Sequence, residues 1–288
     1  MNSNDLKIFA AAAELGSFTK AAEETFTVQS NVTARIKSLE QEFDTELFTK
    51  SGRKAVLTDS GRILLGFAKQ MELLIENAKA AVKNGDDIGG KLRIGCIETT
   101  MALKAPSIIN NFSELYPKVD LEFSSANVSV LIRNVLEQNL DAAYIAGPVH
   151  LKGLKQVKIA EEDLVLVSSK DSGTITELLK QPELKVVVFD QGCFFRARLE
   201  AWLTAKGIAQ YKLTVVNSIE GIINFVEAGL GLSILPSDVV NHYYKNRDLK
   251  TYPLQKELGR MTTLLVYRDD VEIKNSLQAY IDQSFNLI

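Results

Sequence analysis

Along the first ninety residues the apolar positions keep a helical period that breaks only at a few turns. Leu6, Phe9, Ala10 and Ala13 recur at helical spacing, and Gly16 in "LGS" ends that helix. Ser17 or Thr19 can cap a second short helix carrying Ala21, Ala22 and Phe26. Thr27 is placed to cap a third helix, in which Val32, Ile36, Leu39 and Phe43 form one buried stripe. Further on, Leu47–Phe48 and Val56–Leu57 bracket a Ser-Gly turn, the pattern of a two-stranded wing. From Asp59, a helix cap, Leu64, Phe67, Met71, Leu74, Ala78 and Ala81 step by threes and fours. That heptad seam suits the pairing of two helices, or a single helix lying on a domain. The run Asn84-Gly85-Asp86-Asp87-Ile88-Gly89-Gly90 then reads as a hinge.

Beyond the hinge the period changes to strand, polar turn, helix. "KLRIGCIETT" opens one such unit, and "KVDLEFSSANVSVLIRNVLEQNLDAAYIAG" repeats the scheme. "DLVLVSS", "LKVVVFDQGCFFRARLEAWL" and "KLTVVNSIEGIINFVEAGLGLSILP" make a second, similar unit. Alternation of this kind implies parallel strands joined by crossover helices, with ligands at the strand carboxyl ends. The turn residues at those ends are Glu98, Thr99, Thr100, Ser125, Asn127 and Ser129 in the first unit. In the second they are Gln191, Gly192, Cys193, Phe194, Arg196, Asn217 and Ser218. Two such units facing each other would form a cleft for a small molecule. Serines and threonines at helix starts also serve simply as caps. Arg196 offers a fork of donors to an anion, or an ion pair to Glu200 one turn on. Cys193, before a helix start, is either a packing residue or a thiol whose pKa the helix end lowers, a sensor or soft-metal site.

The polar face of the third helix needs its own explanation. It presents Gln29, Ser30, Asn31, Thr33, Arg35 and Lys37, where a merely solvated face favours Glu and Lys. Amides and hydroxyls in the early turns of the second helix of a helix-turn-helix pair with base edges in a major groove. Phe18, Thr19 and Thr27 flank that helix and are placed with it as DNA contacts. Lys50, Arg53 and Lys54 at the wing would meet phosphates. The alternative is a solvated helix face.

Totals temper this picture without removing it. The chain has 288 residues, a formal net charge of −3 and 24% charged residues. Residues 1–62 carry nine acids against eight bases, so cations are concentrated only at 33–37 and 50–54. A single copy should therefore bind phosphates modestly, and a second copy would compensate. The two cysteines lack metal-ligand spacing, and no leader or long apolar run occurs, which implies a soluble cytoplasmic protein away from membranes. No metal or cofactor is expected. No nucleotide-binding loop, GxSxG elbow or complete GxGxxG occurs, and "GLGLSI" follows a helix instead of a strand. His150 and His242 have no partners in sequence and are expected at the surface. A cytoplasmic small-molecule-binding protein or enzyme with an amino-terminal assembly module is the competing class.

The segment "LKIFAAAAELGSFTKAAEETFTVQSNVTARIKSLEQEFDTELFTKSGRKAVLTDSGRILL" resembles the winged helix-turn-helix of LysR-type transcriptional regulators. The resemblance rests on Gly16-Ser17-Phe18, Ala21-Ala22, Gln29, Ile36, Leu39-Glu40, Leu47-Phe48, Leu57-Thr58 and Gly61. Ser30-Asn31 stands where the family usually has Pro-Ala, and Lys50 where it usually has Arg, which points to an unusual DNA preference. "VEAGLGLSILP" at 226–236 resembles the family's effector domain. The resemblance implies an α+β multidomain chain: a winged helix-turn-helix at 1–58, a linker helix and hinge at 59–90, and an α/β periplasmic-binding-protein-like effector domain at 91–288. Within the last, subdomain I would cover about 91–161 and 268–288, and subdomain II about 162–267. The implied partners are double-stranded promoter DNA, further copies of the chain as a dimer or tetramer, and RNA polymerase.

Overall fold

The computed structural model describes residues 1–51, 54–84, 88–147, 149, 151–270 and 273–287. These form two compact units, Met1–Gly90 and Lys91–Ile288.

In the first unit α1 (Ser3–Leu15) starts at a capping box. The Asn2 side chain accepts from the Asp5 amide, and the Asp5 carboxylate accepts from the Asn2 amide, both at 3.0 Å. Gly16 at φ 58° closes the helix in the left-handed region, where a Cβ is strained. Ser17 caps α2 (Phe18–Glu24), accepting from the Lys20 amide. The cap of α3 (Gln29–Glu42) is Val28 and makes no side-chain bond. Thr27 is therefore not the cap; its hydroxyl instead accepts from Asn31 Nδ2 at 2.9 Å. Val32, Ile36 and Leu39 form the buried stripe, but Phe43 falls at the helix end and is 42% exposed.

The short strands β1 (Phe48–Ser51) and β2 (Lys54–Leu57) pair antiparallel, Phe48 opposite Leu57. Glu40 Oε1 fixes their start by accepting from the amides of Leu47 and Phe48 at 2.9 and 3.3 Å. The Thr58 hydroxyl donates to the Glu46 carbonyl at 2.7 Å and accepts from the Gly61 amide at 2.9 Å. Thr58, not Asp59, thus caps α4 (Asp59–Asn84). A Cβ on Gly61 would stand 2.2 Å from the Leu47 carbonyl oxygen, so this crossing admits glycine alone. Phe9, Ala21, Val32, Leu39 and Leu47 fill the core, and the Phe9 and Phe18 rings meet Phe48 edge-on at 5.5 and 5.2 Å. Each fully buried large apolar side chain here contributes about 1.5–3 kcal/mol.

The heptad seam is corrected at its start. Leu64 and Ala68 are buried in this core, while Ile63, Phe67, Met71, Leu74, Ile75 and Val82 are exposed on α4. Of the expected hinge, Gly85–Asp87 lie outside the described residues.

The second unit runs β3 (Gly90–Cys96), α5 (Glu98–Leu103), α6 (Ala105–Leu115), β4 (Val119–Ser125), α7 (Val128–Leu136) and β5 (Ala142–Gly147). There follow the long β6 (Leu154–Ser169), α8 (Ile175–Leu179), β7 (Lys185–Val188), α9 (Phe194–Ala205), β8 (Lys212–Val215) and α10 (Ile219–Glu227). The chain ends with β9 (Ser233–Pro236), a π-helical turn Val239–Tyr243, β10 (Leu249–Pro253), β11 (Arg260–Arg268) and α11 (Asn275–Leu287). The pairs β3–β5 and β7–β8 are parallel, as the alternation predicts. The rest of the pairing turns on β6. Its first part pairs antiparallel with β11 and its last residues with β9 and β10, so one strand serves two subdomains.

Two expectations change here. "DLVLVSS" is the end of a strand that starts at Leu154, whose first half is too polar to be read as one: Lys155, Gln156 and Lys158 face outward. β11 pairs with β5 from Thr262 to Tyr267, which places it in the first subdomain's sheet. That pairing begins at Thr262, ahead of the return expected near 268.

Buried polar contacts tie α11 down. Lys274 Nζ lies 2.8 Å from Asp141 with both side chains nearly covered, and the Tyr144 hydroxyl donates to that of Tyr280 at 2.9 Å. Burial holds both tyrosine hydroxyls well above the usual phenol range, so they stay neutral.

Candidate nucleic-acid interface and ligand cavity

The helical period decides which α3 side chains face water. With Val32, Ile36 and Leu39 turned inward, Gln29, Ser30 and Lys37 are exposed, and Asn31 and Thr33 half-buried. The Thr33 hydroxyl donates to the Gln29 carbonyl at 3.0 Å, and Asn31 is tied to Thr27. Gln29 thus presents the longest exposed polar side chain in the first turn of α3.

Three expected contacts are placed differently. Arg35 Nη1 lies 3.0 Å from the carboxylate of the buried Asp5, so its charge is committed inside the unit. The Phe18 ring is packed on Phe48, which makes it core, while Thr19 remains exposed. Thr27 is half-buried under Asn31. Arg53 lies outside the described residues; the backbones of Lys50 and Lys54 belong to β1 and β2.

In the second unit a cavity of about 310 Å³ opens among Ile97, Glu98, Ser125–Val128, Phe189, Asp190, Cys193–Phe195 and Asn217. Four turns converge on it: those after β3, β4, β7 and β8, the strand ends the sequence pattern predicts. Glu98, Ser125, Asn127, Cys193, Phe194 and Asn217 line it as expected. The other expected residues do not. Thr99 and Thr100 are buried in α5, and Ser218 caps α10 by accepting from the Gly221 amide. Ser129, Gln191 and Gly192 are exposed outside the lining. Arg196 Nε lies 2.9 Å from Glu200, so the ion-pair alternative holds.

Ile97, Ala126, Val128, Phe189, Asp190 and Phe195 also line the cavity, one or two residues away from those expected from the sequence. No local signal separates the apolar members from core residues, or Asp190 from any acid in a turn. Its Oδ1 accepts from the Gln191 amide at 2.7 Å. The Glu98 carboxylate accepts from the Ser125 hydroxyl at 3.3 Å. The lining therefore carries two carboxylates and no cationic side chain.

Neither thiol is activated. Cys193 occupies the cap position of α9, where amides of Phe195 and Arg196 pull its pKa down, but burial outweighs them and pushes it up. Cys96 is fully buried and pushed up to about 12, first by burial and then by the charge of Glu98. Among the described residues no group of three or more His, Cys, Asp or Glu could hold a metal. His242 is exposed as expected; His150 lies outside the described residues. Among the described residues no helix is long and apolar enough to cross a membrane.

A helix-turn-helix with an exposed polar reading helix, on a chain with a separate two-subdomain ligand cavity, defines a ligand-responsive class of DNA-binding protein. Comparison with known proteins agrees. Residues 3–62 match the model of the bacterial regulatory helix-turn-helix protein, lysR family, and residues 85–285 match the LysR substrate binding domain. The HTH-type transcriptional regulator YofA of Bacillus velezensis is 34% identical over 282 residues, which cover 98% of this chain and 97% of that protein. The fold is shared with ArgP from Mycobacterium tuberculosis at a TM-score of 0.75 and 20% identity, covering 99% of this chain and 96% of that one. It is also shared with full-length CbnR complexed with its target DNA, at a TM-score of 0.68 and 18% identity, covering 100% of both chains.

The chain belongs to the LysR family of transcriptional regulators. It is a DNA-binding regulator of transcription carrying a substrate-binding domain, and not an enzyme.

Proposed function

We propose that α3 enters a major groove of promoter DNA, with Gln29 and Ser30 at base edges and Lys37 at the backbone. Asn31 and Thr33 set the pose of that turn. The wing cations Lys50, Arg53 and Lys54 meet phosphates. The exposed stripe Phe67, Met71 and Leu74 of α4 pairs with a second copy, so two readers reach neighbouring half-sites. On this reading residues 1–58 bind DNA, 59–90 pair and hinge, and 91–288 bind the effector as part of a dimer or tetramer that contacts RNA polymerase.

The cavity takes a small molecule with an apolar body, held by Phe189, Phe194 and Phe195. Its polar end offers hydrogen-bond donors or positive charge to Glu98 and Asp190. Binding between the subdomains shifts the balance between their arrangements and so the spacing of the readers.

The observation that carries the DNA reading is the exposed amide and hydroxyl face of α3 opposite a fully buried stripe. Gln29→Ala should lower the ratio of specific to random binding by roughly 1–3 kcal/mol in a competition titration. Arg53→Ala should weaken both alike and reduce the salt slope by about one unit. A Gln29→Ala protein with an unchanged ratio would contradict the assignment.

A further inference from the structure

The turn between α2 and α3 contains a side chain that the fold does not use. Phe26 is 97% exposed, and its backbone sits at φ 53°. A bulky residue in that left-handed region is strained, where glycine or asparagine is at ease. The turn itself is firm: the Phe26 amide donates to the Glu23 carbonyl at 3.2 Å and the Thr27 amide to the Ala22 carbonyl at 2.8 Å. The backbone that carries the ring is therefore fixed, with the ring in solvent. Val28, two residues on, is 63% exposed and caps α3 with no side-chain bond, where a hydroxyl or amide would serve the helix better. Both apolar groups thus precede Gln29 at the leading end of α3, the helix proposed to read DNA, at positions where folding favours other residue types.

Single exposed hydrophobes are ordinary on protein surfaces. A strained aromatic paired with an apolar cap at the leading end of a reading helix is different, because the surface that helix meets has an apolar feature of its own. In the major groove each thymine projects its 5-methyl group, and apolar side chains discriminate by packing on it.

We propose that Phe26, with Val28 beside it, packs on thymine methyl groups at the edge of each half-site, next to the base pair read by Gln29. This rests on α3 being the reading helix and adds a thymine preference that Gln29 alone would not impose.

The test begins by selecting duplexes from a random pool with the full-length protein. Each thymine of the selected site is then replaced singly by deoxyuridine, which removes only the 5-methyl group. For the wild type, one or two positions should lose about fourfold in affinity on methyl removal, the value of one buried carbon group. Phe26→Ala should bind the unmodified site about tenfold more weakly and be indifferent to deoxyuridine at those positions. Phe26→Asn, which suits the left-handed turn, guards against misfolding and should bind DNA like the alanine variant, with a melting temperature no lower than that of the wild type. Wild-type affinity for the selected site in both variants, or equal deoxyuridine losses in variant and wild type, would overturn the proposal. Weakened self-association of both variants in sedimentation, with methyl removal still costing affinity, would also overturn it and assign Phe26 to a protein contact. A wild type that selects no duplex would remove the underlying DNA reading along with it.

Discussion

The exposed polar face of α3 comes from one unbroken run, Gln29–Glu42, whereas the cavity of the second unit draws on four turns spread from Ile97 to Asn217. In the first case a single period of 3.6 residues decides which side chains turn inward and which face water. In the second, proximity is made by parallel pairing of β3 with β5 and of β7 with β8, and by the shared strand β6. The contrast extends to charge. Arg35 is expected at DNA and Arg196 either at an anion or on Glu200, and both pair with a carboxylate of their own unit. The Arg35 partner, Asp5, comes from another helix thirty residues away, while the Arg196 partner, Glu200, is one turn along the same helix.

The sharpest break of this comparison is at α4, whose exposed stripe belongs to neither face. Phe67→Asp together with Leu74→Asp should leave the first unit folded, since both side chains are exposed, yet separate the paired copies. Specific DNA affinity should then fall roughly 10²-fold or more through lost avidity, measured with sedimentation on the same sample. Unchanged sedimentation would remove α4 from the pairing role.

Next in size is Asp5→Ala. It removes the alpha-helical capping box and leaves Arg35 unpaired, and should destabilise the first unit by about 1–3 kcal/mol, the lower end reflecting a half-exposed Arg35. Thermal unfolding followed separately for the two units should show the loss in the first alone. A loss shared equally by both would mean that they unfold together.

The smallest effect concerns Cys193. Burial raises its pKa, so at any pH below that value less thiolate is present than in a free peptide cysteine. Iodoacetamide should accordingly modify it more slowly than a model peptide at pH 8. A faster reaction would restore the sensor role that the geometry removes. Cys96 adds a sign to the pH profile. Its pKa rises from 9.0 to about 12 on folding, so the unfolded chain releases the proton first. Stability of the second unit from this group is full below pH 9 and declines as pH rises toward 12.

Much of the first unit was legible because its determinants are local. The Gly16 stop, the Ser17 cap and the buried stripe of α3 each follow from neighbours within four residues. The misreadings there involve longer reach. Phe18 is core because Phe48 arrives from the wing, and Leu64 leaves the pairing seam because α4 folds back on the core. In the second unit the ligand ends of the strands could be identified, but the lining was displaced by a residue at several turns. Which side chains of a turn reach the cavity depends on how the neighbouring turn approaches, and no local period records that.

The sequence by itself determined the elements, the polar character of the reading helix and the family, since caps, periods and turn residues act over a few positions along the chain. Only the tertiary structure decided which charges remain free, which thiols ionise and which aromatic rings are left in water. Those properties depend on burial and on which groups meet in the fold, a carboxylate from another helix for Arg35 and one of two partners left open by a local pattern for Arg196.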